Sequence, residues 1–224
     1  DADFDYYQDH SSSVSQTVNA IETVINAVEA PYEVPGIGII YEISAIVVRT
    51  VSGAPYTVTD ADLLIDQLRS TWNSSPENSI RADIVHLFTG KFLDGATIGI
   101  ATVGVVCNDF FHYGLSQSTQ ASLNTRAALT AHELGHNWGA THCDGQNPCN
   151  IMCPGLGGCQ GINPLVFSAT PVSQIVAHRN SRTCLSTLPV ARSIPFIDEI
   201  PTATLNPSHW TYFEGARSAT GGVA

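Results

Sequence analysis

The sequence predicts a mixed α/β layer followed by a smaller, irregular lower half. Three observations carry that reading. Apolar residues switch between β-type runs and helical spacing in the order strand–helix–strand–helix–strand–strand–helix. One helix carries the pattern H-E-x-x-H-x-x-G-x-x-H, from His132 to His142. Beyond it, the glycine-rich residues 155–161 read as loop before one last short helix.

Taken in order, residues 1–9, DADFDYYQD, read as the end of a first strand, because Phe4 and Tyr6 alternate with polar neighbours. Ser11 to Ser13 offer an N-cap, and Val14, Val18, Ile21, Ile25 and Val28 recur at helical spacing through Glu29. Pro31 and Pro35 close that helix. Residues 37–51, IGIIYEISAIVVRTV, are rich in β-branched side chains and predict a long strand. After a Gly53–Pro55 turn, Thr59 caps a second helix, TDADLLIDQLRSTW, acidic in its first turn. Asp83 to Thr89 predict a third strand, and Thr97 to Cys107, TIGIATVGVVC, a fourth of small residues. A loop with Phe110, Phe111, His112 and Tyr113 leads to a short strand near Gly114–Ser116, then to a helix over about 124–138. Thr170 or Ser173 opens the last helix, which runs to about Asn180.

From Leu188 the texture changes. The last stretch, 188–224, has four prolines, no helical period and no cysteine. It reads as a linker and the start of a truncated downstream module, with a strap packed on the domain as the alternative. The domain proper is 1–187, with an upper part to about 139 and a lower part from 140.

A chain of 224 residues with 43% apolar and 13% charged side chains suits one globular domain. No apolar run reaches the roughly 20 residues that span a bilayer. Starting at Asp1 without an initiator Met or signal sequence, it reads as a processed mature fragment. The net charge of −11, with a single lysine at Lys91, argues against nucleic acid or an anionic membrane as partner. Six cysteines, Cys107, Cys143, Cys149, Cys153, Cys159 and Cys184, suit a paired, oxidised set and a secreted protein. A second, thiolate metal site is the competing reading, although these spacings contain no CxxC.

The motif has its own chemistry. Residues four apart share one helix face, so His132 and His136 can converge on one ion. Gly139 can take positive φ at low cost and turn the chain, so that His142 returns as a third ligand. Three nitrogens and a water make an open, catalytic kind of zinc site. Glu133 projects beside it, where a carboxylate can take a proton from the activated water. A bare HExxH also arises by chance in helices that bind nothing. Gly139 and His142 at fixed offsets make chance a poor explanation, and the extended pattern with a later Met-turn is the metzincin signature. Met152, the only methionine, lies ten residues past His142. A lone Met is commonly core filler, but this one stands where the Met-turn belongs.

These residues resemble the reprolysin/adamalysin branch of the metzincins, the snake-venom metalloproteinases and ADAM-type sheddases, with bacterial secreted members the nearest in look. ADIVHLFTG (82–90) is similar to that family's strand before the substrate edge, TIGIATVGVVC (97–107) to its edge strand, and NIMCPGLGG (150–158) to its Met-turn and pocket wall. Phe167-Ser168, a helix and Cys184 complete the order, over about residues 1–187. The resemblance implies a twisted, mixed five-stranded sheet with helices above a cleft. It implies zinc on His132, His136 and His142, Glu133 as general base, and Met152 beneath the site. It also implies a Cys107–Cys184 bridge. The other four cysteines depart from the family spacing; loop length alone suggests Cys143–Cys149 and Cys153–Cys159. Cys143 stands where the family has Asp, and Asp144 comes one residue late. Calcium enters as a further ion through Asp83, although its partner on the first strand would precede Asp1.

The function expected is hydrolysis of extended polypeptides by a secreted, monomeric zinc endopeptidase. Substrate would add to the edge at Gly99, Ile100, Ala101 and Thr102, with Pro154, Gly155 and Leu156 (and residues 164–167) walling an apolar pocket. His86 reads as structural, and His10, His112, His178 and His209 as surface or loop groups. Two rivals stand beside it: a zinc-retaining adhesion module that does not cut, and an amidase on cell-wall peptides.

Overall fold

Among the described residues, five helices and three strands form a layered α/β unit. The computed structural model describes residues 1–120, 122–143, 145, 148–156, 159 and 165–185, and Asp1–Leu185 cluster as one unit. The elements are α1 (Phe4–Asp9), α2 (Val14–Tyr32), α3 (Ala61–Trp72), β1 (Val85–Thr89), β2 (Gly99–Ala101), β3 (Tyr113–Gln117), α4 (Leu123–Asn137) and α5 (Ala169–Asn180), with a 3₁₀ turn at Glu77–Ser79. The expected linker and downstream module (188–224), His209, Asp144 and most of the loop 157–164 lie outside the described residues.

The sheet runs β1-β3-β2, β1 and β3 parallel and β2 antiparallel to β3. Alternation along the strands makes it two-faced. Val85, Leu87, Tyr113 and Leu115 pack with Leu64, Leu68 and Trp72 of α3. On the other face Phe88 joins Val24, Val28 and Tyr32 of α2 and Ala127, Ala131 and Leu134 of α4. α2 is capped by Ser13, whose hydroxyl accepts from Gln16 N, and its buried residues Ile21, Val24, Val28 and Tyr32 recur every three or four positions. In α3 the cap is Asp60 rather than Thr59; its carboxylate accepts from Leu63 N at 3.0 Å. α5 begins at Ala169 behind Ser168, ahead of the expected Thr170 or Ser173.

Two expected strands are absent as strands. Residues 4–9 are helix α1, because Asp3 acts as N-cap: its Oδ1 accepts from Tyr6 N at 2.8 Å and from Gly90 N at 3.0 Å. Alternating aromatics suggested a strand, but a capping carboxylate in the first turn decides for helix. Within 37–51 only Val48 makes a β-bridge, to Ala2. Ala2 also bridges Phe88, so 47–49 and 1–3 extend the sheet beyond β1 as two lines of chain, each held by a single bridge. Among the described residues the sheet therefore has three strands, not five. Of the expected fourth strand, 97–107, only Gly99–Ala101 is extended in the ladder. Gly104 and Cys107 have φ of +69° and +66°, which turns the chain off the sheet and onto the end of α4.

Candidate metal centre

α4 is buried on nearly every side, from Ala127 to Gly135, and its small residues let other segments approach closely. That packing places the motif. Nε2 of His136 lies 3.1 Å from Nε2 of His132 and 3.2 Å from Nε2 of His142, and the third pair is 3.2 Å apart. Gly139, at φ +87°, ends the helix and brings His142 back to the site.

The donor set fits a metal ion. Nδ1 of His132 lies 2.7 Å from Ile151 O, and Nδ1 of His136 lies 2.8 Å from Ala140 O. A carbonyl only accepts, so each Nδ1 carries the proton and each neutral ring presents an Nε2 lone pair to the centre. Burial pushes His132 down to about 4 and lowers His136 too, although the carbonyls at their Nδ1 atoms favour the charged rings. Lone pairs meeting with no proton between them call for a cation. For Zn–N bonds of about 2.0–2.1 Å, tetrahedral nitrogens stand about 3.3–3.4 Å apart, close to the spacing found.

Glu133 is buried against the edge strand. A Cβ built on Gly99 would fall 2.9 Å from the Glu133 Cδ and closer still to Oε1. The carboxylate thus occupies the space a side chain at 99 would need. Desolvation raises its pKa to about 8.

The floor is the segment Cys149–Cys153. Met152 is fully buried, and a Cβ on Gly135 would fall 2.7 Å from its Sδ. Cys143 N donates to Met152 O at 3.1 Å, and Ile151 N to Val166 O at 3.2 Å. Cys107 is bonded to Cys184, Cys143 to Cys149 and Cys153 to Cys159, so no described cysteine offers a free thiolate. Pro154, Gly155 and Leu156 follow on the surface. Asp83 is grouped only with the sulfurs of Cys107 and Cys184, which are bonded to each other; nothing there supports calcium.

β2 is an edge, bonded on one side only. Gln117 N donates to Ile98 O and Thr102 N to Tyr113 O. With a period of two, Ile98, Ile100 and Thr102 face inward, and Gly99 and Ala101 direct their backbone groups to the open side. Thr102, expected among the substrate contacts, has its N–H committed to the sheet.

The other described histidines stand apart from the centre. His86 bonds Ser116 Oγ through Nε2 at 2.7 Å. His112, expected at the surface, is buried. Among residues the motif did not single out, Asn137 and Gly135 pack against the site, and Tyr32 lies in the core behind α4. Tyr32 OH donates to Ala131 O at 2.8 Å. A polar side chain directly after the second histidine was the signal available for Asn137; nothing local marks Tyr32.

No helix among the described residues is long and apolar enough to cross a membrane. The family model "Metallo-peptidase family M12B Reprolysin-like" matches residues 18–143, more than half of the chain, and that span includes all three histidines and Glu133. Over 77 residues the chain is 43% identical to a zinc metalloproteinase/disintegrin of Bitis gabonica, a stretch covering 34% of this chain and 22% of that protein. The match thus spans about a fifth of that relative's length. The viper relative lends no support to a bacterial origin. The chain belongs to the reprolysin-like metallopeptidases of family M12B, whose chemistry is zinc-dependent peptide hydrolysis.

Proposed function

We propose that residues 1–187 form the catalytic domain of an extracellular endopeptidase acting on extended polypeptides. One observation carries it: three Nε2 atoms converge at 3.1–3.2 Å beside a buried Glu133 that touches the edge strand. His132, His136 and His142 hold zinc through Nε2. Zinc, when bound, polarises the scissile carbonyl and makes water a nucleophile at neutral pH.

The protein's own groups supply the rest. Ile151 O and Ala140 O hold the protons of His132 and His136 on Nδ1, which fixes the ring orientation. Gly99 and Ala101 pair with an extended peptide as an added strand, and this lays the peptide across Glu133. Burial alone lifts Glu133 to about 8; the positive charge that neutral imidazoles are arranged to hold favours its ionised form. That carboxylate accepts the proton of the attacking water and returns it to the leaving amine. Pro154, Gly155 and Leu156 wall the pocket for the residue after the cut. Three disulfides suit an oxidising compartment.

The test is hydrolysis of casein or gelatin by the purified chain, wild type beside Glu133→Ala, with zinc content measured in each. Cleavage by wild type, lost in the mutant while zinc stays bound, is the expected result. Zinc bound without cleavage by wild type would point to an adhesion module, and cleavage of cell-wall peptides alone to an amidase.

A further inference from the structure

We propose that Asn137 is a positioning residue that sets the substrate edge against the metal helix. The proposal rests on the edge-strand reading above. Asn137 is the last residue of α4 and is fully buried. Its Nδ2 donates at 3.0 Å to Thr102 O and at 3.0 Å to Tyr113 O. Tyr113 O also accepts from Thr102 N, so one amide grips both sides of the last rung joining β2 to β3.

The helix does not need this side chain for its own termination. Trp138 N and Gly139 N already turn back onto Leu134 O and His136 O. Both donors of the amide leave α4 for the sheet. The main chain makes the same junction from the other direction. Gly104 N donates to His136 O at 2.8 Å, and Val105 N to Asn137 O at 2.9 Å. Carbonyls that a helix end usually leaves to solvent are thus capped by the continuation of the edge strand. Gly114 allows the approach, since a Cβ there would fall 3.2 Å from Asn137 Oδ1.

Gly99 rests on the Glu133 side chain at one end of β2, and Asn137 holds Thr102 just past the other. The two contacts fix the height of the edge over the carboxylate and its register along the peptide. Gly99 works by fit, whereas Asn137 supplies bonds that can be removed. Misplacement on the order of 1 Å at a reacting centre costs about 100-fold in rate, so an edge free to slide would no longer present its peptide correctly.

The experiment uses the zinc-loaded full chain in a Glu133→Gln background, which binds peptide without cutting it. Affinities for an octapeptide and a tripeptide are compared in the parent, Asn137→Ala, Asn137→Leu and Tyr32→Phe. Leucine keeps the volume without the donors, and Tyr32→Phe removes a different buried bond to the same helix. Amide exchange at Gly104, Val105 and Val106 and zinc content are read in all four. Both Asn137 variants should lose the octapeptide's advantage by roughly tenfold or more, with faster exchange at those amides and zinc retained. Tyr32→Phe should change neither. An advantage preserved in both Asn137 variants, or lost equally in Tyr32→Phe, overturns the proposal. If the parent itself shows no octapeptide advantage, the edge-strand reading has failed. Exchange alone then decides: edge amides as slow as the parent's in both Asn137 variants overturn it.

Discussion

Two glycines of the site are there for space. Gly99 gives its side-chain volume to the Glu133 carboxylate, and Gly135 gives its own to the Met152 thioether; a Cβ built on Gly135 would also fall 3.3 Å from Phe167 Cε1. Gly99→Ala should push β2 off α4 and lower kcat by about tenfold or more while zinc content stays unchanged, as peptide kinetics with metal analysis would read. Gly135→Ala meets a flexible side chain backed by a ring. It should cost about 1–3 kcal/mol in denaturant unfolding. His86 makes a separate prediction. Its Nδ1 has no partner among the described residues, and burial pushes its pKa down to about 3 from the ordinary 6.5. Between those values the unfolded chain binds the extra proton, so the stability tied to a neutral His86 is complete above about pH 6.5 and is lost as pH falls toward 3. His86→Phe should flatten that part of the pH-stability curve; an unchanged slope would remove His86 as the cause.

At the scale of elements, one buried carboxylate organises the far edge of the sheet. Asp1 Oδ2 accepts from Tyr56 OH at 2.8 Å, Trp72 Nε1 at 2.9 Å and Arg49 Nη2 at 2.5 Å, and Arg49 Nη1 reaches Glu77 at 2.6 Å. The cluster ties 1–3 and 47–49 to the end of α3 and the 3₁₀ turn. Arg49→Ala would leave the Asp1 carboxylate buried without its guanidinium and should cost about 3–5 kcal/mol. A loss below about 1 kcal/mol in urea unfolding would contradict that. The helices were more legible than the strands. α2, α3, α4 and α5 each carry a period, a cap or both, and the sequence places their ends within about four residues. The strand expected over 37–51 has the right composition, but ladder pairing depends on a neighbour, and only Ala2 bridges that stretch.

Across the whole molecule, distant segments are fastened around the metal centre. Cys107–Cys184 joins the loop after β2 to the chain just past α5, 77 residues away in sequence. Replacing both cysteines with serine should cost about 2–5 kcal/mol, read by thermal unfolding. Zinc should act on the same scale. A ligand that binds only the folded chain stabilises it by mass action, so chelation should lower the unfolding midpoint and returning zinc should restore it. A midpoint indifferent to zinc would argue against a resident ion on these histidines.

By itself, the sequence determined the chemistry and the element that bears it. Histidines four apart on a helix share a face whatever surrounds them, and a glycine three residues later permits the turn that returns His142. Local spacing is enough for that, because helix geometry is local. Only the tertiary structure decided what the site leans on: Gly99 against Glu133, Met152 beneath Gly135, Ile151 O on His132, and Asn137 across to Thr102 and Tyr113. It also decided that 37–51 stays out of the ladder. Those outcomes depend on partners far away in the chain, and no local period encodes a contact between residues 99 and 133.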